Sequence, residues 1–262
     1  MKKILCLAIA LIMCAFAFAS CAKTEEKLVV GYTIYEPMNY EENGKLVGFD
    51  TELAEAVAKE LGMEVEFKLI NWSSKYMELE SGNINCIWNG FTSNCADDDG
   101  VQRSDKVDFS YAYMKNEQCV VIRKADADKY TKAEDLVGKS VAAEAGSAGE
   151  GVAKDFVTES GKFTACTAQT ATLTELMGNK VDFVVIDKTM AKTIVGNGNY
   201  ADLAMVESIE IPSEEYSIGF KKGSELTAKV NGALETLAAN GTMKTLAEKY
   251  GLENYVITEF NK

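Results

Sequence analysis

Apolar positions recur along the chain with two periods, near two where strands are expected and near 3.6 where helices are. Residues Lys27 to Thr33 read as a strand, followed by a loop carrying Tyr35, Pro37, Met38 and Tyr40. Asn43-Gly44 marks a hairpin turn. Leu53, Val57 and Leu61 lie at helical spacing, with Asp50 or Thr51 as the expected cap and Gly62 closing the helix. Val65, Phe67 and Leu69 alternate as a half-buried strand. Ser73 or Ser74 opens a short helix through Tyr76, Met77 and Leu79 that closes at Gly82, and residues 84–88 form an apolar strand. This β-α-β-α-β rhythm belongs to a parallel sheet with flanking helices.

A second run follows. Cys119 to Ile122 is strand-like, Glu134 to Leu136 a short helix, and Ser140 to Ala143 a strand. Gly146-Ser147-Ala148-Gly149 leads into a helix over about 149–160. Phe163 to Ala168 is a strand, Thr172 to Met177 a helix, and Asp182 to Ile186 an apolar strand ending at Asp187, with a helix to about Val195. Tyr216 to Phe220 is a strand. Leu226, Val230, Leu234 and Leu237 make an amphipathic helix ended by Asn240-Gly241, and Met243 to Tyr250 is a last helix. The pattern predicts two α/β halves. The chain crosses between them near 113–119 and 207–214, and these crossings would make a hinge.

Composition narrows this picture. At 262 residues the chain suits one large domain or two ordinary ones, and with 47% hydrophobic residues it is globular. A formal charge of −13 argues against binding a nucleic-acid backbone, which needs a basic surface. Residues 1–20 have the form of a signal peptide: Lys2-Lys3, then an apolar run from Ile4 to Phe18, too short for a comfortable membrane span. Two cleavage readings stand. Ala17-x-Ala19 is an ordinary secretory site. Phe18-Ala19-Ser20-Cys21 resembles a bacterial lipobox, with Phe18 where Leu or Val is usual, and is the preferred reading. Cys21 would then carry the lipid, and residues 21–26 would be a tether. Loss of Lys2 and Lys3 takes the charge from −13 to −15.

Cys86, Cys95, Cys119 and Cys166 remain. Their scattered spacing and the absence of His argue against a zinc site, and no cofactor is expected. Disulfides and buried thiols both remain open. The lack of His also removes the most common general base.

The stretch from Asn85 to Arg103 concentrates candidate chemistry. An apolar strand ends at Asn89-Gly90, then come Thr92, an acidic run and Arg103. A guanidinium matches a carboxylate with two parallel hydrogen bonds, so this is either a small-ligand site or an ordinary loop with a surface arginine.

The combination of Leu46-Val-Gly-Phe-Asp50, Trp72, Leu79-x-x-Gly82-Asn-Ile84, Ile87-Trp-Asn-Gly-Phe-Thr92, Val107-Asp-Phe-Ser-x-Ala-Tyr113, Gly146-Ser147, Asp182-Phe-Val-Val-Ile-Asp187 and Asn240-Gly241-Thr242 resembles one family. It is the amino-acid-binding class of bacterial solute-binding proteins that serve ABC importers, and the likeness covers about 27–255. The resemblance implies a two-lobed α/β fold of the periplasmic-binding-protein type, each lobe a mixed sheet flanked by helices, with a two-strand hinge. One lobe would hold 27–114 with 213–255 and the other 115–212. It implies a monomer that binds a free amino acid, polar or basic by preference, and passes it to a membrane permease.

On that resemblance Arg103, the Thr92 amide and the helix start at Ser147-Ala148 take the ligand carboxylate, and Asp187, the Gly90 carbonyl and the Thr92 hydroxyl take its ammonium. Tyr35 and Trp72 wall the side chain, and Glu144 reaches it. The bland readings are a helix cap for Asp187 and Ser147, a turn residue for Thr92, core aromatics for Tyr35 and Trp72, and a solvated Glu144. Residues 94–102 are an insertion relative to the family's Thr-x-x-x-Arg spacing. It either loops out, leaving Arg103 in place, or displaces it. Two other functions suit the same scaffold: an enzyme similar to cyclohexadienyl dehydratase, with Glu144 as its acid or base, and a ligand sensor acting through a partner.

Overall fold

The computed structural model describes residues 27–260. The expected signal peptide at 1–20, Cys21 and the tether at 21–26 lie outside the described residues. Among the described residues, 27–260, no helix is long and apolar enough to cross a membrane.

The first sheet has the order β4-β1-β5-β13-β6. Strands β1 (Lys27–Tyr32), β4 (Glu64–Leu69) and β5 (Cys86–Ile87) run parallel, while β13 (Gly219–Phe220) is antiparallel to both β5 and β6 (Asp108–Phe109). Between β1 and β4 lie the hairpin β2 (Tyr40–Glu42) and β3 (Lys45–Val47), and helix α1 (Phe49–Leu61). The hairpin turns at Asn43 and Gly44, both with positive φ, which matches the Asn-Gly signal. Helix α1 buries Leu53, Ala54, Val57 and Ala58. Helix α2 (Lys75–Glu80) joins β4 to β5 after a 3-10 turn at Trp72–Ser74, which Asn71 caps.

The second sheet has the order β11-β7-β10-β8-β9. Strands β8 (Val141–Glu144), β9 (Phe163–Cys166) and β10 (Phe183–Asp187) are parallel. β7 (Met114–Arg123) is antiparallel to β10 and to β11 (Leu203–Met205). Helix α4 (Ala148–Asp155) follows β8, α5 (Gln169–Met177) follows β9, and α6 (Lys188–Ile194) follows β10. Helices α7 (Leu226–Ala239) and α8 (Thr242–Lys249) end the fold, with Val230, Ala233, Leu234 and Leu237 of α7 in the same core as α1. The chain thus returns to the first sheet at β13, which pairs with β5 and β6.

The two sheets are joined through one ladder. The first residues of β7 pair antiparallel with β12 (Ser213–Tyr216), from Met114 opposite Tyr216 to Glu117 opposite Ser213. Farther along, the same β7 faces β10, with Gln118 opposite Asp187.

Several expectations need correction. The strand expected over Tyr216 to Phe220 is two short strands, broken at Ser217 and Ile218, because the chain passes there from one sheet to the other. The helix expected over 149–160 stops at Asp155. Neither Asp50 nor Thr51 caps α1: Gly48 holds the cap position, while the buried Asp50 carboxyl accepts from Gly90 N (2.8 Å) and the Tyr113 hydroxyl (3.0 Å). All four cysteines in the described residues are free thiols. Cys86, Cys119 and Cys166 are buried as small core groups.

Candidate functional site

A narrow cleft lies between the two sheets. All nine candidate residues line it: Tyr35, Trp72, Gly90, Thr92, Arg103, Glu144, Ser147, Ala148 and Asp187. Asn89 and Gln169 line it too. The first sheet's side supplies the loop after β1, the turn after β5 and Arg103. The second sheet supplies the ends of β8 and β10 and the starts of α4 and α5. These strand ends converge because each sheet presents its carboxyl edge there, the usual place for a ligand in open α/β sheets.

The turn after β5 depends on Gly90. Its φ is +57°, and a Cβ there would stand 2.6 Å from Tyr35 Cε1. Asn89 ties the turn down, donating to the Thr33 carbonyl at 2.9 Å and to Asn39 Oδ1 at 2.6 Å. Within this turn the Gly90 carbonyl and Thr92 hydroxyl accept or give no hydrogen bond to any described residue.

Residues 94–102 fold outward as a small hairpin. Ala96 bridges Gln102, Asp97 N donates to Val101 O at 3.0 Å, and Gly100 turns the chain at φ +75°. The hairpin returns Arg103 to the cavity at the start of a one-turn helix α3 (Arg103–Lys106). It also provides the counter-ion: Arg103 Nε donates to Asp97 Oδ1 at 2.8 Å. Asp97 further accepts from Tyr76 OH at 2.6 Å and Lys106 Nζ at 2.8 Å. Burial works against the Asp97 charge, yet Arg103, Lys106 and Tyr76 outweigh it and hold the carboxyl at about 2.

Arg103 then reaches across the cavity. One terminal nitrogen donates to the Thr92 carbonyl at 3.0 Å, the other to the Gly146 carbonyl at 3.1 Å. Of the five guanidinium N–H groups, one on each terminal nitrogen lacks an acceptor among the described residues. The same Gly146 carbonyl accepts from Lys75 Nζ (3.0 Å) and Trp72 Nε1 (3.1 Å). A carbonyl oxygen has two lone pairs, so three donors crowd one acceptor. Lys75 is buried; its burial first, then the Arg103 charge, lowers its amine to about 8. This end of the cavity is rich in donors and positive charge.

Ser147 caps α4, its hydroxyl accepting from Glu150 N at 3.1 Å, while Glu150 accepts from Gly146 N at 2.6 Å. The first-turn N–H of Ala148 has no partner further back in the helix and borders the cavity. Trp72 packs its ring edge-on against Phe91 at 5.4 Å, and the Tyr35 hydroxyl meets that of Tyr216 at 2.7 Å.

The opposite end is acidic. Asp187 holds the position before α6 but its side chain does not cap that helix. Instead Oδ1 accepts from Asn116 Nδ2 (2.8 Å), Gln118 Nε2 (2.6 Å) and Tyr216 OH (2.9 Å), and Oδ2 accepts from Gln169 Nε2. Burial raises the Asp187 carboxyl. Glu144 is 4% exposed and makes no hydrogen bond to a described residue through its side chain. Burial, then the charge of Asp187, pushes it to about 8, against the pull of Lys75.

Lys75, Asp97, Asn116, Gln118, Gln169 and Glu214 escaped the sequence reading. Asn116 and Gln118 stand two apart just before the apolar run at Cys119, a period-two signal that would have extended the strand back to them. Lys75 and Asp97 give no such signal, because their burial is set by contacts from other parts of the chain.

The arginine-binding extracellular protein ArtP of Bacillus subtilis (strain 168) is 28% identical over 247 residues, with 94% of each chain covered. The L-cystine-binding protein TcyJ of Escherichia coli (strain K12) is 28% identical over 231 residues, 87% of this chain and 84% of that one. Among solved structures, an ancestral arginine-binding protein bound to arginine matches with a TM-score of 0.78 at 34% identity, covering 86% of this chain and 98% of the other. The two sheets with flanking helices are the two-lobed fold of periplasmic binding proteins. With residues 28–253 matched by the family's sequence profile, this chain belongs to the bacterial extracellular solute-binding proteins, family 3.

Proposed function

We propose that the protein binds a free amino acid outside the cytoplasm and delivers it to the permease of an ABC importer. One observation carries this reading: a single cavity between the lobes has a cationic, donor-rich end at Arg103, with Lys75 beside it on the shared Gly146 carbonyl, and an acidic end at Asp187. That polarity matches the zwitterion shared by all α-amino acids. Burying either charge of the ligand unpaired would be costly.

The ligand carboxylate meets the free N–H groups of Arg103, the Thr92 amide and the N-terminus of α4 at Ala148, with Ser147 holding that helix start. Its ammonium meets Asp187, the Gly90 carbonyl and the Thr92 hydroxyl. The side chain runs between Tyr35 and Trp72 towards Glu144. A buried carboxyl without a hydrogen-bond partner favours a polar or basic side chain, and relatives named for arginine support that class. The lobes are 27–114 with 213–255, and 115–212, and they close about the β7–β12 ladder. The protein works as a monomer, exported and lipid-anchored through Cys21. The family match supports binding rather than turnover.

A thermal-shift screen of the twenty amino acids with cystine and ornithine tests the reading, because a ligand of the folded state raises the melting temperature by mass action. A polar or basic amino acid should give the largest shift, confirmed by calorimetry. No shift from any of them sinks the amino-acid assignment, and a purely aliphatic ligand overturns the role given to Glu144.

A further inference from the structure

Behind the cavity, Asp187 is half of a carboxyl pair whose other half, Glu214, lies on the connecting strand β12. The strand register builds the pair. Asn116 and Gln118 project from the same face of β7. Across from them stand Glu214 and Asp187. Each amide spends its two N–H groups on the two acids. Asn116 Nδ2 donates to Asp187 Oδ1 at 2.8 Å and to Glu214 Oε1. Gln118 Nε2 donates to Asp187 Oδ1 at 2.6 Å and to Glu214 Oε1 at 2.8 Å. Because both accept from the same two nitrogens, Asp187 Oδ1 and Glu214 Oε1 lie side by side.

Both acids are buried, Asp187 at 7% and Glu214 at 8% exposure. Among the described residues no lysine or arginine forms an ion pair with either. The groups facing them are Tyr35 from the loop after β1, Tyr216 on β12, Cys119 on β7, Cys95 in the outward hairpin and Glu144 on β8. Burial raises the phenols and thiols, so they stay neutral at pH 7, and Glu144 is a further acid. Lys188 of α6 is tied to Glu117 at 2.7 Å. Two full negative charges here would face only neutral donors. Like charges sharing a buried site cannot both ionise easily.

We propose that Glu214 is a positioning residue that shares one proton with Asp187 in the unliganded protein, and that the ligand ammonium expels this proton. Protonated Glu214 donates to Asp187 and leaves it as the anion facing the cavity. When the ammonium settles on Asp187, the added positive charge favours ionisation of both acids. The O–H bond of Glu214 breaks, its electron pair stays on the carboxylate and the proton passes to the buffer. The connecting strands then feel the ligand charge directly, because three of the four residues of the cluster, Asn116, Gln118 and Glu214, lie on β7 and β12. The coupling rests on the amino-acid reading above; the shared proton does not.

Glu214→Gln tests both parts. An amide donates and accepts as the protonated acid does but cannot titrate. In the ligand-free arm, melting temperatures of wild type and variant are compared from pH 5 to pH 8. A carboxyl raised in the folded state loses stability as pH rises through its folded value. The variant should therefore gain on wild type as pH increases; a pH-independent difference overturns the shared proton. In the second arm L-arginine is titrated calorimetrically in phosphate and in Tris at pH 6, 7 and 8. The wild type should release close to one proton more than the variant, and its affinity should climb more steeply, by up to about tenfold per pH unit. Equal proton release in the two proteins overturns the coupling. Absence of binding by L-arginine and every other amino acid, with the ligand-free arm as expected, overturns the coupling and the amino-acid reading while the shared proton stands.

Discussion

Asp97 Oδ1 stands 2.8 Å from Arg103 Nε, with side-chain exposures of 8% and 1%. The acidic residue comes from the same outward hairpin that separates Arg103 from Thr92. The segment that threatened to displace the arginine therefore anchors it. Asp97 also gathers Tyr76 and Lys106, so the guanidinium is held from behind while its terminal nitrogens face the cavity.

Asp97→Asn should leave Arg103 buried without its counter-charge. Removing one partner of a buried pair costs about 3 kcal/mol or more, and chemical denaturation should show a loss of that order. Ligand affinity should fall at least about tenfold, since a mispositioned donor loses its hydrogen bond. The pH dependence has a definite sign. Asp97 is held at about 2, below its ordinary value of 3.8, so its contribution is present above the ordinary value and lost as pH falls towards 2. The difference between wild type and variant should shrink across that acid range.

Arg103→Met and Asp187→Asn remove the two poles of the site separately. Truncating one partner of a buried, hydrogen-bonded charge pair costs about 2–5 kcal/mol, so affinity should drop by about 30-fold or more in each. Calorimetry with the best ligand from the screen decides it. Unchanged affinity in either variant removes that residue from the ligand contacts.

Glu144→Gln separates side-chain recognition from recognition of the zwitterion. For a cationic ligand it should weaken binding by at least about tenfold, the order expected for a lost charged hydrogen bond, with little effect on a neutral polar ligand. Glu144 is raised to about 8 in the folded protein, so its contribution to stability is full below its ordinary value of 4.5 and is lost as pH rises through about 8. The unliganded variant should gain on wild type between those limits, read from melting temperatures.

Gly90→Ala should damage both fold and site. The left-handed φ of +57° and the 2.6 Å approach to Tyr35 Cε1 leave no room for a methyl group. A strained position of this kind costs about 1–3 kcal/mol, and moving Tyr35 or the Gly90 carbonyl should lower affinity as well. A variant with native melting temperature and affinity would contradict this account of the turn.

Much of the architecture was legible because local signals carried it. Alternation marked β4, Asn43-Gly44 marked the hairpin, and helical spacing marked α1 and α7. The resemblance also pointed to nine of the eleven residues that line the cavity. What escaped is of one kind. Asp50 carries the signature of a helix cap, yet Gly90 N and the Tyr113 hydroxyl claim it from across the fold. Asn116, Gln118 and Glu214 are unremarkable polar residues in sequence. They become a carboxyl–amide cluster only because β7 pairs with β12 at one end and with β10 at the other. Lys75 and Asp97 show no sign of burial in their neighbours. By itself the sequence determined most of the elements, their order and the family, since periodicity, turn residues and motif spacing are properties of the chain. The position of Arg103, the partners of Asp187 and the charge balance of the cavity were decided by tertiary structure. Strand register and burial set the distances and the local dielectric, and those set the electrostatics.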